Sequence, residues 1–382
     1  MLSLLHLLLL ASAVASGAQG HAPRSQPTAV SEAGERHGKV KWFEGTYDAL
    51  LAKAKSEQRV VLLNFYTDLC RYCLDLDREG YSDKGVIEAL TPVLCFSVDA
   101  ESELGKPLDE RFPTESYYPA LIFLDPDGSL RDRIVGYMPT RQLLPEIQRI
   151  LNDVGTLGDL RRKVAAQPED LAAIWNLAVK LEELGDQAAC EREVEHIKAL
   201  DPEGKSLPMH QMAMRAALHQ ANETGDDEPL RKLLATETYP ELLFQGWNRL
   251  AISELWRAKR AGMQGLTELA QRARTAYHEA HLQAWPYCPT EMTARYGNLV
   301  AWELYRDWSA LDKEMRSAAI GIARQAVAAA PTTAEVLDTL ACLLFNDGQI
   351  DEAVRLMRDC IRLEPDRDLW EERLEMFQAK ES

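Results

Sequence analysis

Two cysteines, Cys70 and Cys73, lie three positions apart in the stretch NFYTDLCRYCLDL, and no other pair in the chain is so close. Three kinds of chemistry fit a Cys-x-x-Cys. A redox dithiol needs one thiol that ionises readily and a second within reach to close a disulfide and eject a bound partner. A zinc site needs about four ligands, of which this pair supplies two. No second pair and no close His pair accompanies it; His278 and His281, in HEAH, stand far along the chain and do not form a metalloprotease motif. A purely local staple is the third reading, although a loop this short constrains the unfolded chain little and stabilises little. No metal and no cofactor is expected.

The elements around the pair decide how it would work. RVVLLNFY, residues 59–66, is a continuous apolar run of strand length, as expected of a strand covered on both faces. If CRYCLDLDRE is helical, Cys70 sits at a helix N-terminus, where unpaired N–H groups and the helix dipole stabilise a thiolate. Arg71 adds a cation beside it. Asp68 and Tyr72 border the sulfurs and count with Arg71 as residues that tune the thiolate. Cys73 lies one turn further in, placed to resolve a mixed disulfide.

Before this strand, YDALLAKAK puts Tyr47, Leu50, Leu51 and Ala54 on one helical face. After the cysteines, Ser82 and Asp83 start a helix over KGVIEAL, and VLCFSVD is a second buried strand. PALIFL and LRDRIVGY flank Asp125-Pro126-Asp127-Gly128, a hairpin turn rather than a calcium loop, since further ligands are missing. TRQLLPEIQRIL closes the region as an amphipathic helix. This order predicts a mixed α/β sheet with helices on both faces over residues 39–154.

Residues 41–152 resemble the thioredoxin family. The resemblance rests on VVLLNFY running into TDLCRYC, on FSVDAE after the second strand, on YYPALIFLDPDG, and on Gly136 before the last helix. It implies a thioredoxin-like fold, a protein substrate with thiols or a disulfide, Cys70 as nucleophile and Cys73 as resolving thiol. It also implies that Pro119 is a cis-proline facing the disulfide and, with Tyr118, shapes the substrate groove. Three positions depart from the pattern. Leu69 replaces a tryptophan, Asn64 stands where a buried acid is usual, and Cys95 lies near the place of a buried lysine. The Asn64 amide cannot take a proton from the resolving thiol, so the expected acceptor is water or a nearby carboxylate such as Asp68 or Asp75. Cys95, Cys190, Cys342 and Cys360 read as buried core thiols; Cys288 fits no class.

From residue 155 to 382 strand signals vanish. Ile174-x-x-Leu177-Ala178-x-x-Leu181 with Cys190 and Val194 matches Leu337-x-x-Leu340-Ala341-x-x-Leu344 with Ala353 and Met357. Gly185 and Gly348 fall at the same place in the intervening turn. This resembles the tetratricopeptide (TPR) helix-turn-helix, clearest over 171–202 and 334–365, with a third half-match ending at Pro331. Residues 204–289 are helical in period but fit no repeat cleanly. Such arrays offer a concave surface for a peptide or protein ligand.

Composition narrows the rest. A net charge of −17 argues against a nucleic-acid surface. Residues 2–10 form an apolar run too short to span a bilayer, followed by small residues with Ala13/Ala15 and Ser16/Ala18 as cleavage positions. The expectation is a signal peptide over 1–18, a linker over 19–38, an extracytoplasmic (periplasmic or secreted) location, and no membrane span after cleavage. Two functions follow: a thiol–disulfide oxidoreductase whose repeats bind a partner, or a non-catalytic interaction scaffold with a structural disulfide.

Overall fold

The computed structural model describes residues 38–379 except 113 and 115. The expected signal peptide and all but the last residue of the expected linker lie outside the described residues. The chain divides into two compact units, one up to Asp159 and one from Leu160.

The first unit is built on four strands, β1 (Val61–Tyr66), β2 (Leu94–Asp99), β3 (Ala120–Leu124) and β4 (Leu130–Val135), in the order β2-β1-β3-β4. The β1–β2 pair is parallel; β1–β3 and β3–β4 are antiparallel. Outside β2, Trp42 makes an isolated parallel bridge to Cys95, with the Phe43 N–H on the Cys95 carbonyl at 2.7 Å. Helices α1 (Tyr47–Glu57), α2 (Arg71–Asp75), α3 (Lys84–Leu90), α4 (Gly105–Arg111) and α5 (Thr140–Leu151) complete it.

Strand alternation splits the core in two. Val61, Leu63 and Phe65 face one side with Leu50 and Ala54 of α1 and Leu108 of α4. Leu62, Cys95, Leu121 and Phe123 face the other with Leu76, Val86 of α3 and Leu143, Ile147 and Ile150 of α5. Each inner strand is therefore covered on both faces, which is why its sequence is apolar without alternation. The two strand runs and the hairpin lie where the sequence placed them. Asp83 caps α3, its Oδ1 accepting from the Val86 N–H at 3.0 Å.

The helix after the cysteines differs from expectation in its second half. From Leu76 to Gly80 it widens into a π-turn, closed by the Tyr81 N–H on the Leu76 carbonyl at 2.9 Å. Gly80 permits this close fit: a Cβ there would lie 2.7 Å from Leu76 and 3.1 Å from Leu143.

The second unit is helical throughout its described residues. The matched segments form the pairs α7 (Leu171–Glu183) with α8 (Gln187–Leu200), and α15 (Ala334–Asn346) with α16 (Ile350–Leu363); α6 (Leu157–Ala166) precedes them. Gly185 and Gly348 adopt φ of +83° and +84°. Each turn closes on the same i→i+5 bond, Asp186 N–H to Leu181 and Gln349 N–H to Leu344. Between the pairs, α9 (Leu207–Thr224), α10 (Glu228–Leu234), α11 (Pro240–Met263) and α12 (Thr267–Ala284) run to 18, 7, 24 and 18 residues. These lengths depart from the 13 and 14 residues per helix of the matched pairs. The half-match ending at Pro331 is α13 (Thr293–Arg306) with α14 (Lys313–Ala329), whose Ala319, Ala323 and Ala326 are buried as their spacing predicts. A last helix, α17 (Asp368–Ala379), ends the described chain. No helix among the described residues is long and apolar enough to cross a membrane.

Candidate functional site

The C-terminal end of β1 carries the chain through Thr67, Asp68 and Leu69 to Cys70, the residue that caps α2. Cys70 and Cys73 are joined by a disulfide, with Cα atoms 5.3 Å apart. The Cys73 N–H donates to the Cys70 sulfur at 3.1 Å. A helix-start donor thus already points at the sulfur that would become the thiolate. Cys70 is half-buried, whereas Cys73 is only 5% exposed. This asymmetry is what a nucleophile and a resolving thiol require.

Strand register brings three distant segments to this end of the sheet. Phe65 of β1 pairs with Ala120 of β3, and Ala120 pairs with Val135 of β4. The residues just beyond are therefore the Cys70 loop, Pro119 and Gly136. The Tyr118–Pro119 peptide bond is cis, and the Pro119 carbonyl accepts from the Gly136 N–H at 2.8 Å. Pro119 is buried and Tyr118 half-buried. The Tyr118 ring packs on the α1/α4 side, its hydroxyl donating to Asp109 Oδ2 at 3.3 Å. Its backbone borders the dithiol end; its ring belongs to the opposite core. Burial first, then the neighbouring Asp109, raises the Tyr118 phenol.

Of the other expected residues, Asp68 and Arg71 are exposed beside the pair. Leu69 is 97% exposed and Tyr72 59%. Asn64 is 2% exposed on β1 and accepts a 2.9 Å hydrogen bond from the Tyr81 hydroxyl. Burial raises that phenol well above its usual range, helped by the nearby Cys95 and Asp77. The Asn64–Tyr81 pair is neutral and takes no proton near neutral pH.

Three residues at this end were not singled out from the sequence. Asp77 is 7% exposed and lies four positions after Cys73 on the same helical segment. Its spacing was legible, since i and i+4 share a helix face. Tyr137 stacks its ring on Tyr72, with centroids 5.8 Å apart and planes at 23°. The Tyr137 hydroxyl donates to Glu79 Oε2 at 2.5 Å. That bond, more than partial burial, pushes the Tyr137 phenol up to about 12. Nothing in local sequence joins positions 72, 79 and 137.

The remaining thiols are of another kind. Burial pushes Cys95, Cys342 and Cys360 up to about 12, and Cys288, half-buried, up to about 11. Among the described residues no group of His, Cys, Asp and Glu is arranged to hold a metal ion. His278 and His281 are both buried: His278 Nε2 lies 2.7 Å from Asp307 Oδ2 and His281 Nδ1 lies 2.8 Å from the Tyr296 hydroxyl.

Comparison with known proteins agrees with the sheet. Residues 47–151 match a family model described as a thioredoxin-like domain. No curated protein matches the chain. Among solved structures, a thioredoxin from Thermus thermophilus is 26% identical, over 29% of this chain and 87% of that one, with a TM-score of 0.27. A DsbH oxidoreductase is 15% identical over 35% of this chain and 95% of that one, with a TM-score of 0.26. A thermophilic TPR protein, also from Thermus thermophilus, is 19% identical over 58% of this chain and 89% of that one, with a TM-score of 0.19. Scores this low carry no weight of their own; the assignment rests on the family match and the strand order. Residues 47–151, which hold the Cys70–Cys73 bond, are a thioredoxin-like domain, followed by a helical region with two matched, repeat-like helix pairs.

Proposed function

We propose that the protein is an exported thiol–disulfide oxidoreductase acting on protein disulfides, with its helical region binding a partner. The observation that supports this most is the half-buried Cys70 sulfur at a helix start, accepting from the Cys73 N–H, beside the Pro119 end of β3.

In the reducing direction the Cys70 thiolate attacks one sulfur of a substrate disulfide. A mixed disulfide forms and the first substrate thiolate leaves. The Cys73 thiol then gives up its proton, and its thiolate attacks the Cys70 sulfur. The mixed bond breaks, the second substrate thiolate leaves, and two electrons have passed to the substrate as Cys70–Cys73 forms. The same steps in reverse oxidise a dithiol. We assign the Cys73 proton to Asp77, the buried carboxylate one turn on, rather than to Asp68, which is exposed, or Asp75. Neither Asn64 nor Tyr81 can accept it.

Insulin reduction driven by dithiothreitol tests the reading. The wild-type protein should precipitate the insulin B chain well ahead of a Cys70→Ala/Cys73→Ala variant. Equal rates would leave only the scaffold function. Export is supported by the apolar run over residues 2–10 and the small residues after it. N-terminal sequencing of the protein from an extracytoplasmic fraction should begin between positions 16 and 19; a full-length cytosolic product would remove this part.

A further inference from the structure

Tyr137 touches the active-site helix at two heights. Its ring lies against Tyr72, between the two cysteines, and its hydroxyl donates to Glu79 in the π-turn beyond. The same ring packs against the core cluster that includes Leu76, Leu143 and Ile147. It is thus anchored on the domain and spans the helix from first turn to last. Cys73, inside that span, offers the N–H that points at the Cys70 sulfur. Helix α2 has only five residues before it widens, too few to hold its own first turn in place by hydrogen bonding alone.

We propose that Tyr137 and Glu79 are positioning residues for the dithiol: through Tyr72 they brace the first turn of the active-site helix so that the Cys73 N–H stays aimed at the Cys70 sulfur. The inference rests on the proposed function only in taking Cys70 as the attacking thiol. A thiolate gains from a helix terminus only while the donors point at it. Loosening the turn removes part of that gain. The charged side chains flanking the pair, Asp68, Arg71 and Asp75, stay in place in every variant below.

The test is the pH profile of Cys70 alkylation by iodoacetamide in the reduced full-length protein, with the labelled site mapped by mass spectrometry. Tyr137→Ala removes ring and hydroxyl, and should slow labelling about threefold at pH values below the thiol's titration. Tyr137→Phe keeps the stack and loses the hydrogen bond, so a smaller slowing is expected. Glu79→Ala should resemble Tyr137→Phe, whereas Glu79→Gln keeps an acceptor and should follow the wild type. Were charge the cause, both Glu79 variants would speed labelling alike, and that result overturns the brace. Profiles of Tyr137→Ala and Tyr137→Phe that superimpose on the wild type overturn it too. If Tyr137→Ala fails to fold, Tyr137→Phe and the Glu79 pair still decide. Wild-type protein inactive on insulin, with Tyr137→Ala still slow to label, would defeat the proposed function and leave the brace standing.

Discussion

In the α/β unit, Cys70 caps a helix half-exposed, with a backbone N–H on its sulfur. In the helical unit, Cys342 and Cys360 are fully packed inside, their thiols pushed up by burial to about 12. One donates towards Asp338 and the other to the Ala334 carbonyl. The residue type is the same and the chemistry is opposite. A sulfur at a partly open helix start sees a backbone donor and is favoured as an anion; a sulfur inside a helix pair is held as a thiol by burial, even at Cys342, where Arg373 Nη1 donates to the sulfur at 3.5 Å. The difference teaches that reactivity here is set by position on an element, so it can be moved by changing that element.

The sharpest way to break this contrast is to remove each sulfur of the pair. Cys73→Ser should trap a mixed disulfide with a substrate, and Cys70→Ser should trap none. Non-reducing gels of either variant incubated with a disulfide-bonded protein measure this, and faster alkylation at Cys73 than at Cys70 would reverse the roles. Next in size is the proton acceptor. Asp77→Asn should slow resolution of the mixed disulfide about 100-fold near neutral pH and leave the first attack nearly unchanged. Asn64→Asp, which adds a second buried acid, should restore part of that loss in the Asp77→Asn background. Stopped-flow rates of both steps distinguish this from general damage, which would slow the two together.

How much of this was legible beforehand follows from the range of the contacts. The strands and the first and last helices of the α/β unit came from apolar runs and local caps, and α5 (Thr140–Leu151) falls on the residues its pattern marked. Cys70 and Cys73 were legible because their spacing and the strand before them mark them, whereas Pro119 was reached only through the resemblance to the thioredoxin family. Tyr137 was not legible, because its contact with Tyr72 depends on β4 ending at the same end of the sheet as β1, across β3, a fact of register. The π-turn was hidden for a similar reason: it depends on Gly80 meeting Leu143 from another element. In the helical unit the two clear repeats were readable because their packing is local to a helix pair. The long α11 (Pro240–Met263) kept a helical period but lost the repeat's length, so only its period was readable.

Two smaller effects sharpen the contrast from the helical side. His281 is buried beside Tyr296; burial first, then His278 and Arg274, hold its pKa down at about 3. The unfolded chain takes up this proton near pH 6.5 and the folded one does not. Stability is therefore complete above that pH and falls as acid is added, by about 2 kcal/mol at pH 5 from this residue. Urea midpoints between pH 7 and 5 should show the decline, and His281→Phe should flatten it. Smaller still is the turn strain. Gly185→Ala and Gly348→Ala each place a side chain at positive φ, in open space, at a cost of about 1 kcal/mol. Gly321→Ala, within α14 (Lys313–Ala329) and also in open space, should instead stabilise by up to about 1 kcal/mol. Thermal melts of the three variants compare them directly.

The bridge from Trp42 to Cys95 has a consequence for solubility. A four-stranded open sheet has two free borders, and each is a template on which another extended chain could add itself. Along β2 part of that border is taken by the chain's own segment, through the Trp42 bridge and the Phe43 hydrogen bond. Along β4 the strand reads Leu-Arg-Asp-Arg-Ile-Val, and its Asp132 is an inward-pointing charge, buried and paired with Arg149 at 2.7 Å. A protein whose proposed work brings it against unfolded polypeptides meets the very molecules able to zip onto an open ladder. Shortening the chain past Phe43 would uncover this part of β2, so Trp42 and Phe43 shield the edge as well as leading into the fold.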